Sequence, residues 1–162
     1  VELWQDIAEF PMYSVSNRGL IVNNETGRIL RLCTNNRGIV YVGLLRKGIQ
    51  YKRSVTLLVA NAFLPHPASP AFDTPIHLDG DRTNNRYFNL TWRPMWFARK
   101  YHVQFPLSPS VGVPIQELVT GEEFSSSFQA TVKYGLLDND ILRSVIKRDA
   151  VWPTYQRFAL LD

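Results

Sequence analysis

Residues 75–92 read PIHLDGDRTNNRYFNLTW, and this stretch concentrates the side chains best able to do chemistry. His77 is its one group that exchanges a proton near neutral pH. Asp79 and Asp81 offer hard carboxylate oxygens, and Asn84, Asn85 and Asn89 offer amides that orient a ring or close a turn. Apolar residues flank the polar ones on both sides. Two readings fit such a pattern: the metal-and-base site of a nuclease, or a polar turn with the same outline.

The surrounding chain bounds both readings. Its 162 residues suffice for one compact domain or two small ones, and 45% hydrophobic with 12% aromatic residues implies a packed core. Cys33 is the sole cysteine, so disulfide frameworks and cysteine-based zinc sites are excluded and a reducing compartment fits; with no catalytic partner nearby it is expected in the core. No apolar run approaches the roughly 20 residues of a membrane span, and the N-terminus lacks a signal-peptide pattern. Nucleotide-binding glycine loops, the GxSxG elbow, the HExxH motif and internal repeats are all missing.

Charge is unevenly spread. The formal net charge is +4 and the pI about 9.4. Between Thr26 and Ser69 there is no acid, against Arg28, Arg31, Arg37, Arg46, Lys47, Lys52 and Arg53. Such a block suits a phosphate backbone, the alternative being a solvated basic face. From Gly112 to Asp162 five basic residues face seven acidic ones, a net −2 that does not favour a polyanion.

Elements that position these residues are legible in outline. In LWQDIAEFPMYSVSNRGLIVNNETGRIL, the SNRG and NNETG turns join short strands holding Tyr13, Val15 and Ile21, with Trp4, Ile7 and Phe10 as the core beneath. GIVYVGLLRKGIQYKRSVT predicts two strands around an RKG turn, with tyrosine and arginine on one face and Lys52 on the other. VTLLVANAFL predicts a buried helix stopped by Pro65, and PHPASPAFDTP an extended loop. RPMWFARKYHVQF has helical spacing, placing Trp96 with Lys100 and Ala98 with His102 one turn apart. After a linker at 106–114 come a strand (IQELV), a TGEE turn and helix SSSFQATVKYG. An LLDN turn ending in an N-cap, helix DILRSVIKR and a closing strand around TYQRFAL complete the chain. Two short helices about four residues apart form a helix-turn-helix pattern, with Arg143 and Lys147 as neighbours on the second.

Taken together, three motifs resemble the HNH homing endonucleases of phage introns. The family's N-terminal module, W…I…F…Y-x-V-S-N-x-G, matches Trp4, Ile7, Phe10, Tyr13, Val15, Ser16, Asn17 and Gly19, followed by Ile21. IHLDGDRTNNRYFNLTW is similar to its core, and SSSFQATVKYGLLDNDILRSVIKR to its C-terminal helix-turn-helix module. The resemblance implies an α+β fold: an N-terminal antiparallel β ribbon, a ββα-metal core, and a small C-terminal unit with a strand and a helix-turn-helix. The corresponding divisions are an N-terminal DNA-binding module at 1–63, the core at 64–105, the linker at 106–114 and the C-terminal module at 115–162. It further implies that His77 is the general base for a water attacking a phosphodiester and that Asn89 orients its imidazole. Gly80, Asn84 and Asn85 match the intervening turn, and Leu90 and Trp92 match core positions.

Metal positions depart from the family pattern. The usual aspartate before the base is Ile76, and the second ligand position, nine residues past Asn89, is Ala98; neither can coordinate. His102 lies one helical turn further and is the candidate substitute, with Asp79 or Asp81 as an added carboxylate. The expectation is a double-stranded DNA-binding protein without a cofactor, contacting DNA through Arg28, Arg31, Arg37, Arg46, Lys47, Lys52, Arg53, Arg143 and Lys147. Two alternatives remain open: a nicking endonuclease using Mg²⁺ or Mn²⁺, and a protein-interaction module for a host or phage enzyme. By resemblance the chain is expected to be monomeric, away from membranes, in the cytoplasm of a phage-infected or bacterial cell.

Overall fold

The structure is a computed structural model that describes residues 1–106 and 112–161. Part of the expected linker, 107–111, lies outside the described residues. Contacts divide the chain into two compact units: Val1–His77 with Asp81–Met95, and Leu78–Gly80 with the chain from Trp96 onward.

In the first unit, strands β1 (Trp4–Ile7), β2 (Phe10–Ser16) and β3 (Ile21–Asn23) form an antiparallel sheet in that order. The expected turns are where the sequence puts them. A second antiparallel sheet comprises β4 (Cys33–Thr34), β5 (Val40–Arg46) and β6 (Ile49–Ser54), with Lys47 and Gly48 both at positive φ in the β5–β6 turn. Alternation along β5 buries Val40, Val42 and Leu44 and leaves Tyr41 and Gly43 half-buried. Helix α1 (Val55–Phe63) starts where the Ser54 hydroxyl accepts the Leu57 N–H and stops before Pro65. It sets Val55, Val59 and Ala60 into one core with Ile7, Phe10, Tyr13, Val15, Ile21 and Leu90.

The polar stretch is framed by a ribbon of β7 (Thr74–His77) and β8 (Leu90–Arg93), antiparallel, with His77 opposite Leu90 and Ile76 opposite Thr91. A 3₁₀ turn (Tyr87–Asn89) leads into β8, and α2 (Met95–Val103) follows it, giving the strand–strand–helix order expected of the core.

The second unit holds β9 (Ile115–Glu117), β10 (Glu123–Phe124), α3 (Ser127–Tyr134), α4 (Asp138–Lys147) and β11 (Phe158–Leu160), with β9 central in a three-stranded antiparallel sheet. Gly135, left-handed at φ 66°, ends α3, and Ile115, Phe124, Ala130, Leu136, Ile141, Val151 and Phe158 form the core. Gly80 sits at φ +77° with the Phe105 ring 2.5 Å from where a Cβ would lie, so the turn it makes excludes any other residue.

Three local expectations are corrected. Trp4 is 41% exposed because it begins an edge strand, and only Ile7 and Phe10 of its trio are core. Cys33 is exposed, since β4 is a two-residue edge strand without a covered face. Helix α4 begins at Asp138, and the cap residue Leu137 makes no side-chain cap hydrogen bond. Asp138 is buried and accepts the Ser127 hydroxyl at 2.6 Å, a tertiary bond that draws it into the helix start.

Glu117 is, with Asp138, a buried carboxyl residue of the second unit, 1% exposed. Burial alone would raise its pKa, but the Thr120 hydroxyl and the Thr120 and Val119 N–H groups all donate to it and hold it below the usual glutamate range. A depressed folded pKa stabilises above the unfolded value and loses that contribution as pH falls through the folded one. Acid titration followed by circular dichroism should therefore show second-unit melting below about pH 4. Glu117→Ala should destabilise it by about 1–3 kcal/mol at neutral pH and flatten that acid limb; an unchanged limb would refute the assignment.

Candidate functional site

His77 ends β7 and is 5% exposed. Its Nε2 lies 2.8 Å from Asn85 Oδ1 and 3.3 Å from Thr56 Oγ1, and the Thr56 hydroxyl donates to the same Oδ1 at 2.6 Å. An amide oxygen only accepts, so the imidazole hydrogen sits on Nε2 and the basic lone pair on Nδ1. Thr56 is the second residue of α1, and both it and Asn85 are buried. Three separate elements thus set one tautomer.

Loop 81–89 delivers Asn85 and is clipped along its length. Asp81 accepts the Thr83 hydroxyl at 2.6 Å and the Thr83 N–H at 2.9 Å, bonds that hold its carboxyl below the usual range. Arg82 donates to the Arg37 carbonyl at 3.1 Å, and Tyr87 N–H to the Asn17 carbonyl at 2.9 Å. Gly19, at φ +86°, packs where a Cβ would come within 3.1 Å of Asn85 Cβ. The S-N-x-G turn at the end of β2 is therefore a docking surface for the loop. Ser16 accepts the Arg18 and Leu20 N–H groups, and Asn17 Oδ1 accepts the Leu3 N–H.

The resemblance assigns the orienting amide to Asn89, but the amide oxygen on Nε2 is that of Asn85. Because the loop folds back over the end of β7, it brings the residue eight positions on against Nε2. Asn89, also buried, donates to the Asn84 carbonyl at 2.9 Å and so closes the loop that presents Asn85. Sequence reasoning treated Asn85 as a turn residue and passed over Thr56; no local pattern marks a threonine on an apolar helix as part of a polar site.

At the two metal-ligand positions, Ile76 is fully buried and Ala98 is 5% exposed, both hydrocarbon. Asp79 is exposed on the turn after β7. His102 is half-buried on α2, its ring edge-on to Tyr101 with centroids 5.9 Å apart. Among the described residues, His, Cys, Asp and Glu side chains form no group of three placed to hold a metal.

The seven cations of the basic block all lie in the first unit, and six are exposed, Arg53 being partly covered. Arg46 and Arg53 gather at one face of β5–β6: their guanidinium carbons lie 4.8 and 5.2 Å from the Tyr51 ring centroid, and 5.1 and 5.2 Å from that of Phe10. Arg53 also pairs with Glu9 at 3.4 Å. Lys52 lies over Tyr41, 3.7 Å from the ring centroid, on the opposite face as its alternation predicts. Lys47 occupies the hairpin turn, and Arg28, Arg31 and Arg37 are spread over the preceding loops. In the second unit Arg143 is exposed on α4 and 3.6 Å from Asp140, and Lys147 is exposed at the helix end.

A second basic run follows the first: from Arg82 to Gln116 there is no acid, against Arg82, Arg86, Arg93, Arg99 and Lys100. Its signal was the same acid-free count that marked the first block.

Asn85→Ala removes the shared acceptor and leaves the imidazole N–H only the Thr56 oxygen at 3.3 Å, so unfolding in urea should show a loss of about 2–3 kcal/mol. Thr56→Val removes one donor and keeps the Asn85–His77 bond, and should cost about 1 kcal/mol. Equal losses would contradict the shared-acceptor geometry.

Comparison with known proteins agrees with this architecture. The NUMOD4 motif matches residues 2–44. Over 92 residues, 57% of this chain, the sequence is 32% identical to an uncharacterized HNH endonuclease of Acanthamoeba polyphaga mimivirus. The match covers 27% of that protein, so the chain spans about a quarter of the length of this relative. The solved structure of the HNH homing endonuclease I-HmuI, described for DNA binding and cleavage, aligns over 98% of both chains with a TM-score of 0.56 at 21% identity. The chain thus carries a NUMOD4 motif, is homologous to an HNH endonuclease, and has the fold of an HNH homing endonuclease.

Proposed function

We propose that this protein binds double-stranded DNA on an HNH homing-endonuclease scaffold whose cleavage is lost through Ile76 and Ala98. The observation that carries the reading is the acid-free basic block, all in one unit, with Arg46 and Lys47 exposed at the β5–β6 hairpin tip. Phosphate contacts of this kind supply sequence-independent, salt-sensitive affinity. A two-stranded ribbon also has the dimensions of the major groove. None of these cations depends on the residues at the metal positions.

A divalent cation of the kind HNH endonucleases use does not fit the residues at those two positions. Buried isoleucine and alanine side chains carry no donor atom, and no step is derived through a metal. The helix pair α3–α4 supplies the second proposed contact, through Arg143 and Lys147, weakened by the acidic balance of its unit. The protein acts as a monomer in this reading.

One observation favours a second reading, a metal-dependent nicking enzyme. The Thr56–Asn85–His77 bonds leave the imidazole lone pair on Nδ1, an atom that is itself buried. In that reading His102, with Asp79, replaces the missing ligands and Mg²⁺ or Mn²⁺ is the cofactor.

Supercoiled plasmid incubated with Mn²⁺ or with EDTA separates these outcomes. DNA binding without cleavage predicts a mobility shift in EDTA that strengthens at low salt, and no nicking in Mn²⁺. Arg46→Ala with Lys47→Ala should weaken binding to all sequences alike and lower the slope of log K against log salt by about 2. Mn²⁺-dependent nicking abolished by His77→Ala would overturn the loss of cleavage. Neither binding nor nicking would leave the protein-interaction role.

A further inference from the structure

We propose that Phe88 is an apolar wedge that inserts between base steps of bound duplex DNA, an inference that rests on the DNA-binding reading above. Phe88 is 64% exposed, and Tyr87 beside it is 41% exposed, so two adjacent rings face solvent on one hydrogen-bonded turn. It occupies the middle of the 3₁₀ turn, on the same loop that carries Asn85 to His77.

The turn presents this ring rigidly. Tyr87 N–H is tied to the Asn17 carbonyl, Asn89 N–H to the Arg86 carbonyl at 2.9 Å, and Leu90 N–H to the Tyr87 carbonyl. The ring stands edge-on to Tyr87 with centroids 5.9 Å apart, and Tyr87 leans on Phe63 of α1 at 6.4 Å. Phe63 in turn packs against the first unit's core. A side chain braced through two rings can transmit force to a base stack, which an exposed residue on a loose loop cannot.

Its surroundings favour a polyanion as the occupant. Arg86 precedes the turn and is exposed, Arg18 is exposed on the S-N-x-G turn that docks against it, and Arg82 lies on the same loop. The loop's one carboxylate, Asp81, is engaged by the Thr83 hydroxyl and N–H, and no acid follows from Arg82 to Gln116. Apolar wedges flanked by cations unstack a base step and kink the duplex by about 20–90°.

The test uses a 30-base-pair duplex of mixed sequence and the same duplex with one central T·T mismatch, in EDTA, with the whole chain. A mismatched step is already partly unstacked, so the wild-type protein should bind it about tenfold more tightly than the matched duplex. Phe88→Ala should reduce that preference to within about twofold, while Phe88→Leu, which retains an apolar wedge, should keep most of it. Energy transfer between dyes on the duplex ends should rise on binding wild type and not on binding Phe88→Ala. A Phe88→Ala complex with undiminished mismatch preference overturns the wedge and leaves DNA binding standing. Failure of the wild type to retard either duplex overturns both.

Discussion

A buried imidazole must have its N–H satisfied, and much of the first unit is organised around meeting that demand for His77. Desolvating an amide or ring N–H without a partner costs a few kcal/mol, comparable to the whole stability margin of a small unit. The acceptor comes from Asn85, which can reach Nε2 only if loop 81–89 folds back over the end of β7. That loop is in turn held by the Asn17 carbonyl, by the absence of a Cβ at Gly19, and by the Asp81–Thr83 clip. The N-terminal sheet and the β7–β8 ribbon are therefore mechanically one piece. The S-N-x-G turn is explained by what it docks against as much as by the turn it makes.

The electrostatic design is separable from that network. Arg46 and Arg53 stack on Phe10 and Tyr51, rings that also belong to or lean on the core, so the cations are pre-positioned by packing. Arg53 Nε donates to the Glu9 carboxylate and Arg46 Nη1 to the Glu9 carbonyl, and stacking limits the rotamer entropy the two side chains would lose on contact with phosphate. None of these contacts involves Ile76 or Ala98. A scaffold whose binding surface and bond-breaking residues rest on different interactions can lose one and keep the other.

Much of the fold was legible because periodicity and punctuation agreed. The RKG turn, the Pro65 stop and the alternation of QYKRSV each have a local cause, and each formed where its cause lay; the strand expected over IQELV ends at Glu117 and the turn comes at 118–120, ahead of TGEE. The failures were positions whose fate is set by neighbours distant in sequence. Trp4 and Cys33 are apolar enough for a core, but both sit at exposed positions of edge strands. Asp138 has an acid's preference for the start of a helix, and the Ser127 hydroxyl decided which turn of chain it would join.

Sequence by itself determined most of the element order, though not the two-residue strands β4 and β10, together with the two acid-free basic runs and the hydrocarbon side chains at positions 76 and 98, because these are properties of composition and local pattern. Only the tertiary structure decided which amide meets the imidazole. Asn84, Asn85 and Asn89 are chemically identical, and choosing among them needs the path of the loop, which depends on Gly19, Asn17 and Thr56 from elsewhere in the chain. It likewise decided that Phe88 points outward while Leu90, two residues on, is core. Hydrogen-bond geometry is specified to tenths of an ångström, and spacing along a chain carries no such information.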